Sequence, residues 1–182
     1  MQLNKSLNLK RLAAGAGVLA AAAFCVTWIM RPNPTLQLDV ETMRSITTSG
    51  TFKTVLGNGS RELHVFLSTE CVYCREIEPE LDKLENVTVY RHMLPGQSDA
   101  GRLAAIDVWC SSNPIETWKK VAAGIPVSRV SCDATQIEKN RAMARRLGLT
   151  STPSIVYEDG HISAGMLLSG EIAERVAKST LR

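Results

Sequence analysis

Apolar and polar positions alternate along residues 61–182 in a pattern that predicts strands and helices in turn. Short apolar runs bounded by turn residues predict strands at residues 63–67, 87–90, 154–157 and 161–164. Asp159 and Gly160 separate the last two runs and predict a hairpin turn. The strands are short, so the longer segments between them decide the fold class.

Between the strands, apolar residues recur at the spacing of a helix. Helices are predicted at residues 71–84, over most of 98–147, and at 171–178. Pro79 predicts a kink in the first of them, and breaks are predicted near Pro114 and at 124–131. A strand–helix–strand unit, a helical insertion, a hairpin and a closing helix together predict an α/β fold.

An uncharged, alanine-rich stretch covers residues 12–30. At a rise of ~1.5 Å per residue, it is long enough to cross the hydrocarbon core of a bilayer. Lysine and arginine residues precede it, and this charge predicts a cytoplasmic N-terminus at 1–11, a transmembrane signal anchor at 12–30 and an exported domain. A signal peptide cleaved near Ala21–Ala23 is the alternative.

Residues 31–60 are predicted to be a linker between the apolar stretch and a catalytic domain at 61–182. Within the linker, a short helix is predicted at 38–46 and a turn at 57–59. The formal net charge of the chain is only +3, and no basic stripe is interleaved with aromatic residues. Nucleic acid is therefore not an expected partner.

Cys71 and Cys74 follow the strand predicted at 63–67 and begin the helix predicted at 71–84. At a helix N-terminus, unpaired backbone N–H groups and the helix dipole favour a thiolate, which is the species that attacks disulfides. Cys74, one turn later, can resolve the mixed disulfide that forms. Half of a zinc site is the alternative, but the sequence has no second Cys-x-x-Cys or His-x-His cluster, so no metal is expected.

Two charged neighbours of Cys71 act in opposite directions. Glu70 precedes it, and a carboxylate there disfavours a second negative charge. Arg75 lies four residues later, within reach on a helix, and favours the thiolate. We hypothesise that Glu70 tempers the oxidising power of the cysteine pair.

The chain resembles the DsbC/DsbG group of bacterial periplasmic disulfide isomerases over about residues 51–178. The residues that carry the resemblance are Val65-Phe66, Cys71-Val72-Tyr73-Cys74, Trp109-Cys110, Ser131-Cys132-Asp133, Arg146-Leu147-Gly148-Leu149 and Thr152-Pro153. It implies a thioredoxin-like fold with a helical insertion and a site with Val72 and Tyr73 between its two cysteines.

The resemblance also implies a role for each matching residue. Cys71 would be the nucleophile and Cys74 the resolving thiol. Thr152 and Pro153 would form a cis-proline loop that faces the cysteines and binds the substrate backbone. Cys110 and Cys132 would form a structural disulfide.

The function implied is that of a periplasmic protein thiol–disulfide oxidoreductase, a DsbC-like disulfide isomerase or reductase. The anchor predicted at residues 12–30, which would hold it at the inner membrane, is a departure from that family. The substrates of the oxidoreductase would be proteins with disulfides, its electron donor a DsbD-type membrane reductase, and it would need no cofactor beyond the Cys71–Cys74 disulfide. DsbC and DsbG carry an N-terminal dimerisation domain, and this chain has only residues 31–60 in that place. A membrane-tethered oxidase with a DsbB-type partner, or a non-enzymatic client-binding assembly module, are therefore alternatives.

Several other polar and aromatic residues have simpler interpretations. The acidic residues of the first helix are expected on its solvated face; they are Glu76, Glu78, Glu80 and Glu85. Trp109 and Trp118 are expected in the core, and His64 is expected to pack within a core strand. No chemistry is assigned to His92 or His161.

Overall fold

A computed structural model describes residues 37–179, which fold around a five-stranded mixed sheet. The strands are β1 (Phe52–Val55), β2 (Arg61–Ser68), β3 (Val87–Leu94), β4 (Ser154–Tyr157) and β5 (Ile162–Ala164). They lie in the order β1-β3-β2-β4-β5. The central pair, β2 and β3, is parallel, and every other pair is antiparallel.

Helices connect the strands and cover the sheet. They are α1 (Val40–Arg44), α2 (Val72–Glu76), α3 (Glu78–Leu81), α4 (Asp99–Trp109), α5 (Pro114–Ala122), α6 (Thr135–Arg146) and α7 (Ser169–Lys178). The predicted α/β alternation is confirmed. The single kinked helix predicted at 71–84 is instead two short helices that meet at Ile77, because Pro79 occupies the first turn of α3, where a missing N–H costs nothing.

The sheet begins earlier than the sequence pattern indicates. β1 lies within the predicted linker and pairs antiparallel with β3, with Phe52 opposite Arg91. Phe52 is the only fully buried residue of β1, so four residues carry too little hydrophobic pattern to be recognised as a strand. The pairing with β3, which is distant in sequence, is what defines this edge of the sheet.

Two apolar clusters lie on opposite faces of the sheet, and β2 contributes to both. Leu63, Val65 and Leu67 pack into the larger cluster with residues of α2, α3 and α7. Phe66 packs into the smaller cluster with residues of α6, including Met143. Because both faces of β2 are buried, the strand is fixed in place, and its carboxyl end presents the next residues at a defined position.

Within residues 37–179, no helix is both long and apolar enough to cross a membrane. The predicted cytoplasmic segment at 1–11 and the predicted anchor at 12–30 lie outside the described residues.

Candidate active site

Cys71 lies at the N-terminus of α2, directly after the turn that follows β2. Its backbone is extended and it caps the helix: the Cys74 N–H donates to the Cys71 Sγ over 3.1 Å. A sulfur in this position receives a hydrogen bond that stabilises a thiolate more than a thiol. Cys71 is also partly exposed, so its sulfur is accessible to another molecule.

The Thr152–Pro153 loop faces Cys71 across the site. The peptide bond between Thr152 and Pro153 is cis, and the Cys71 thiol donates to the Thr152 carbonyl oxygen over 3.2 Å. The two segments meet because β4, which starts at Ser154, pairs antiparallel with the end of β2, where Phe66 lies opposite Ser154. Residues 81 positions apart in sequence therefore form one site.

Cys74 has a different environment from Cys71. Its side chain is fully buried in the larger apolar cluster, and both cysteines are in the reduced, unbonded state. Burial raises the pKa of the Cys74 thiol well above its ordinary value, and the hydrogen bond with Cys71 adds to the rise. Cys74 is therefore held as a thiol behind the accessible sulfur of Cys71.

Two exposed side chains lie between the cysteines in sequence. Val72 and Tyr73, between Cys71 and Cys74, are 59% and 57% exposed. Exposed apolar side chains beside a reactive sulfur provide a surface on which an unfolded or partly folded chain can pack.

The charged neighbours of Cys71 are bound to other groups. The Glu70 carboxylate accepts hydrogen bonds from the Gln97 N–H, the Ser98 N–H and the Ser98 hydroxyl, and these bonds lower the pKa of Glu70. Arg75 donates from Nη2 and Nε to the Thr69 carbonyl, over 2.8 and 3.3 Å. Both side chains therefore contact the backbone around the site.

Cys110 and Cys132 form a disulfide. It joins the C-terminus of α4 to the segment that precedes α6, 22 residues further along the chain. The bond closes a loop that contains α5.

The expectation that Glu78 lies on a solvated helix face is wrong. Glu78 is 3% exposed and its carboxylate accepts from Arg91 Nη2 at 2.5 Å and from the Trp118 indole N–H at 2.7 Å. Arg91 is fully buried, and Trp118 is in the core as expected. Glu78 lies four residues after the buried Cys74, which is helical spacing and a signal that both residues face inward.

His64 is buried as expected, and it contacts a second histidine that the sequence did not single out. His64 Nδ1 and His92 Nε2 are 3.0 Å apart, and the His92 ring stacks on Phe66. Burial lowers the pKa of His64 to about 4 and that of His92 to about 3. The pair lies on the sheet face opposite the cluster that holds Cys74.

Across residues 37–179, no group of three or more Cys, His, Asp or Glu side chains is arranged to hold a metal ion.

Comparison with known proteins identifies the family of this domain. Residues 49–179 match the family described as "Thioredoxin-like domain". The chain is 33% identical over 125 residues to the probable thiol:disulfide interchange protein DsbC of Bordetella parapertussis, covering 68% of this chain and 44% of the relative. It is 28% identical over 115 residues to the Escherichia coli protein DsbC, covering 60% of this chain and 48% of the relative.

Among solved structures, a disulfide interchange protein from Neisseria gonorrhoeae superposes with a TM-score of 0.66 at 26% identity. The match covers 73% of this chain and 97% of that chain. The chain spans less than half the length of the two curated relatives. The chain belongs to the thioredoxin-like domain family, and over this domain it is similar to proteins named DsbC.

Proposed function

We propose that this chain is a protein thiol–disulfide oxidoreductase that works through Cys71 and Cys74. One observation carries the proposal: an accessible Cys71 sulfur, hydrogen-bonded by the Cys74 N–H, faces the Thr152 carbonyl, with the buried Cys74 thiol behind it. The names of the related proteins support the same chemistry.

The reaction proceeds by two exchanges of sulfur partners. The Cys71 thiolate attacks one sulfur of a substrate disulfide, the S–S bond breaks, and the other substrate sulfur leaves as a thiolate. Cys74 then loses its proton and attacks the Cys71 sulfur of the mixed disulfide. The substrate leaves with both sulfurs reduced, and the two electrons come from the Cys71–Cys74 pair. In isomerisation, the released substrate thiolate attacks another substrate disulfide, and the substrate thiolate freed there attacks the mixed disulfide and releases the Cys71 thiolate. No net electrons move.

The substrates we propose are proteins with disulfides, which bind against the Thr152–Pro153 loop and the exposed Val72 and Tyr73 side chains. We propose isomerase or reductase work as the principal activity, with a DsbD-type membrane reductase supplying electrons. The alternative direction is oxidation, in which a DsbB-type partner keeps the pair as a disulfide.

We further propose that the domain acts in the periplasm, held at the inner membrane by an anchor at residues 12–30. The apolar stretch and the positive charge before it support this location. The Cys110–Cys132 disulfide supports an oxidising compartment, because such bonds rarely persist in the cytosol.

Disulfide exchange is tested with purified protein, using reduction of insulin and refolding of scrambled ribonuclease in glutathione buffer. We expect Cys71→Ala to abolish both activities. Cys74→Ala should instead accumulate a mixed disulfide with the substrate, because the resolving thiol is missing. A Cys110→Ser/Cys132→Ser variant is the matched control and should keep both activities if it folds. Full activity of Cys71→Ala would refute the proposal.

A client-binding module is the second candidate, and the exposed Val72 and Tyr73 side chains favour it. Suppression of aggregation of a reduced, unfolded client measures it, since such a client has no disulfide to exchange. A Cys71→Ala/Cys74→Ala variant that still complements a deletion strain would favour this candidate over the enzyme. In the deletion strain complemented with the wild-type chain, acid quenching and thiol alkylation would give the direction of catalysis: a mostly reduced Cys71–Cys74 pair indicates an isomerase or reductase.

A further inference from the structure

The residue before the nucleophile connects two elements that carry the site. Glu70 lies in the turn of residues 68–71, which we call the redox turn, and its side chain reaches the N-terminus of α4. The Glu70 Oε2 accepts from the Gln97 N–H at 2.5 Å, and both carboxylate oxygens are 3.3 Å from the Ser98 N–H. The Ser98 hydroxyl donates to Oε1 and accepts from the Gly101 N–H.

The space for this carboxylate is provided by two glycines. A Cβ atom on Gly101 would lie 2.2 Å from the Glu70 Cδ and 2.6 Å from its Oε1. A Cβ atom on Gly96 would lie 2.7 Å from Oε2, as well as within 2.6 Å of the Gly101 backbone. Any side chain at Gly101 would therefore displace the Glu70 carboxylate, although the helical backbone there accepts other residues.

The redox turn is also held by Thr69 and Arg75. The Thr69 hydroxyl, which is buried, donates to the Gly101 carbonyl over 2.9 Å. The Thr69 carbonyl accepts from Arg75 on α2. The turn is thus tied to α4 on one side and to α2 on the other, and Cys71 is the residue that it presents.

We propose that Glu70 is a positioning residue, which clasps the N-terminus of α4 and thereby holds Cys71 in place opposite Thr152. Glu70 is exposed and contributes no apolar burial, so its contacts serve the geometry of the turn more than the stability of the core. Its carboxylate accepts from three donor groups of Gln97 and of Ser98, the residue that caps α4. An electrostatic effect of Glu70 on the Cys71 charge would be a different role, because such an effect would not require the space that Gly101 leaves for the carboxylate.

The test uses the full chain with Glu70→Ala, Glu70→Gln, Gly101→Ala and the double variant Glu70→Ala/Gly101→Ala. Gly101→Ala fills the space of the carboxylate while improving helix propensity, so it separates positioning from loss of stability. Glu85→Ala, an exposed acidic residue outside the site, is the matched control. The readouts are kcat and KM for insulin reduction, hydrogen exchange at the redox turn, and the glutathione equilibrium of the cysteine pair.

We expect Glu70→Ala and Gly101→Ala each to lower kcat roughly 10-fold with little change in KM, since small displacements of a reacting group cost this much or more. The double variant should be no worse than Glu70→Ala, because both changes remove the same contact. Hydrogen exchange should become faster at Cys71 in all three, and Glu70→Gln should lie between wild type and Glu70→Ala.

Two outcomes would overturn the proposal: a Glu70→Ala variant with wild-type kcat and exchange, or equal shifts of the glutathione equilibrium in Glu70→Ala and Glu70→Gln with Gly101→Ala unchanged. The second outcome would mean that Glu70 acts through its charge. The catalytic readout rests on the proposed function. If the wild-type chain exchanges no disulfide, that function fails, whereas hydrogen exchange at the redox turn still decides the role of Glu70.

Discussion

Replacing Arg91 with methionine removes one partner from a buried ion pair between β3 and α3. The side chains of Arg91 and Glu78 are 0% and 4% exposed, and they meet at 2.5 and 3.2 Å. The Trp118 indole N–H is the other donor to this carboxylate. In Arg91→Met, the Glu78 carboxylate would keep that single neutral donor in a region closed to water.

The expected cost follows from this burial. Removing one partner of a buried pair leaves an uncompensated charge and destabilises the folded state by about 3–5 kcal/mol. With a urea slope of about 2 kcal/mol per molar, the unfolding midpoint should fall by roughly 1.5–2.5 M. Methionine has a similar length to the arginine stem, so loss of packing adds little to this cost.

Two further variants separate the charge effect from other causes. Arg141→Met breaks an exposed pair with Glu138, whose side chains are 45% and 49% exposed, and should change the free energy of unfolding by less than ~1 kcal/mol. A Glu78→Leu/Arg91→Met variant removes both buried charges and should recover much of the lost stability.

The assay is urea unfolding at neutral pH, monitored by circular dichroism, with all variants under one condition. The reasoning is refuted if Arg91→Met shifts the midpoint no more than Arg141→Met. It is also refuted if the Glu78→Leu/Arg91→Met variant is less stable than Arg91→Met alone. Because Glu78 begins α3 and Arg91 lies on β3, the result measures how firmly this ion pair holds α3 to β3.

Three other predictions concern stability. Replacing Cys110 and Cys132 with serine should lower the free energy of unfolding by about 3 kcal/mol, since the closed loop restricts the unfolded chain; calorimetry under non-reducing conditions measures it. Because burial lowers the pKa values of His64 and His92 to about 4 and 3, the unfolded chain binds protons first, and stability should fall by roughly 1–2 kcal/mol per ring between pH 6.5 and 5. Proton NMR should show neither ring titrating above pH 5, and a ring titrating near 6.5 would contradict this. Asn140→Ala removes two donated hydrogen bonds to backbone carbonyls of separate segments and should cost about 2–3 kcal/mol in urea unfolding.

The sequence predicts those structural elements that depend on a pattern of neighbouring residues. The apolar run of β2, the two cysteines after it and the Asp159-Gly160 hairpin each depend on a few neighbouring residues, and the structure has all three. β1 depends instead on pairing with β3, and its four residues contain one buried side chain. A strand defined by a distant partner leaves little local signal.

The charged residues show the same limit at the level of single side chains. Glu78 and Glu80 are residues of the same type in one short helix, yet of the two only Glu78 contacts a buried arginine. Arg91 occupies a position in β3 where Val89 and Met93 share its face, and that alternation is the available sign of its burial. The contact of Glu70 with Ser98 has no local sign, because it depends on where α4 begins relative to the redox turn.

The asymmetry of the two sulfurs follows from their places on α2. A residue that caps a helix remains at its surface, and a residue three positions later turns towards the sheet, so Cys71 is accessible while Cys74 is buried. In the proposed function, this arrangement makes Cys71 the sulfur that exchanges with the substrate. Its thiolate attacks a substrate disulfide in reduction, and in oxidation a substrate thiolate attacks Cys71 and Cys74 leaves. In the proposed function, the direction of catalysis depends on which partner protein meets the exposed Cys71 side chain. Selectivity between an electron donor and an oxidant would then depend on the residues at that surface, Val72 and Tyr73 first.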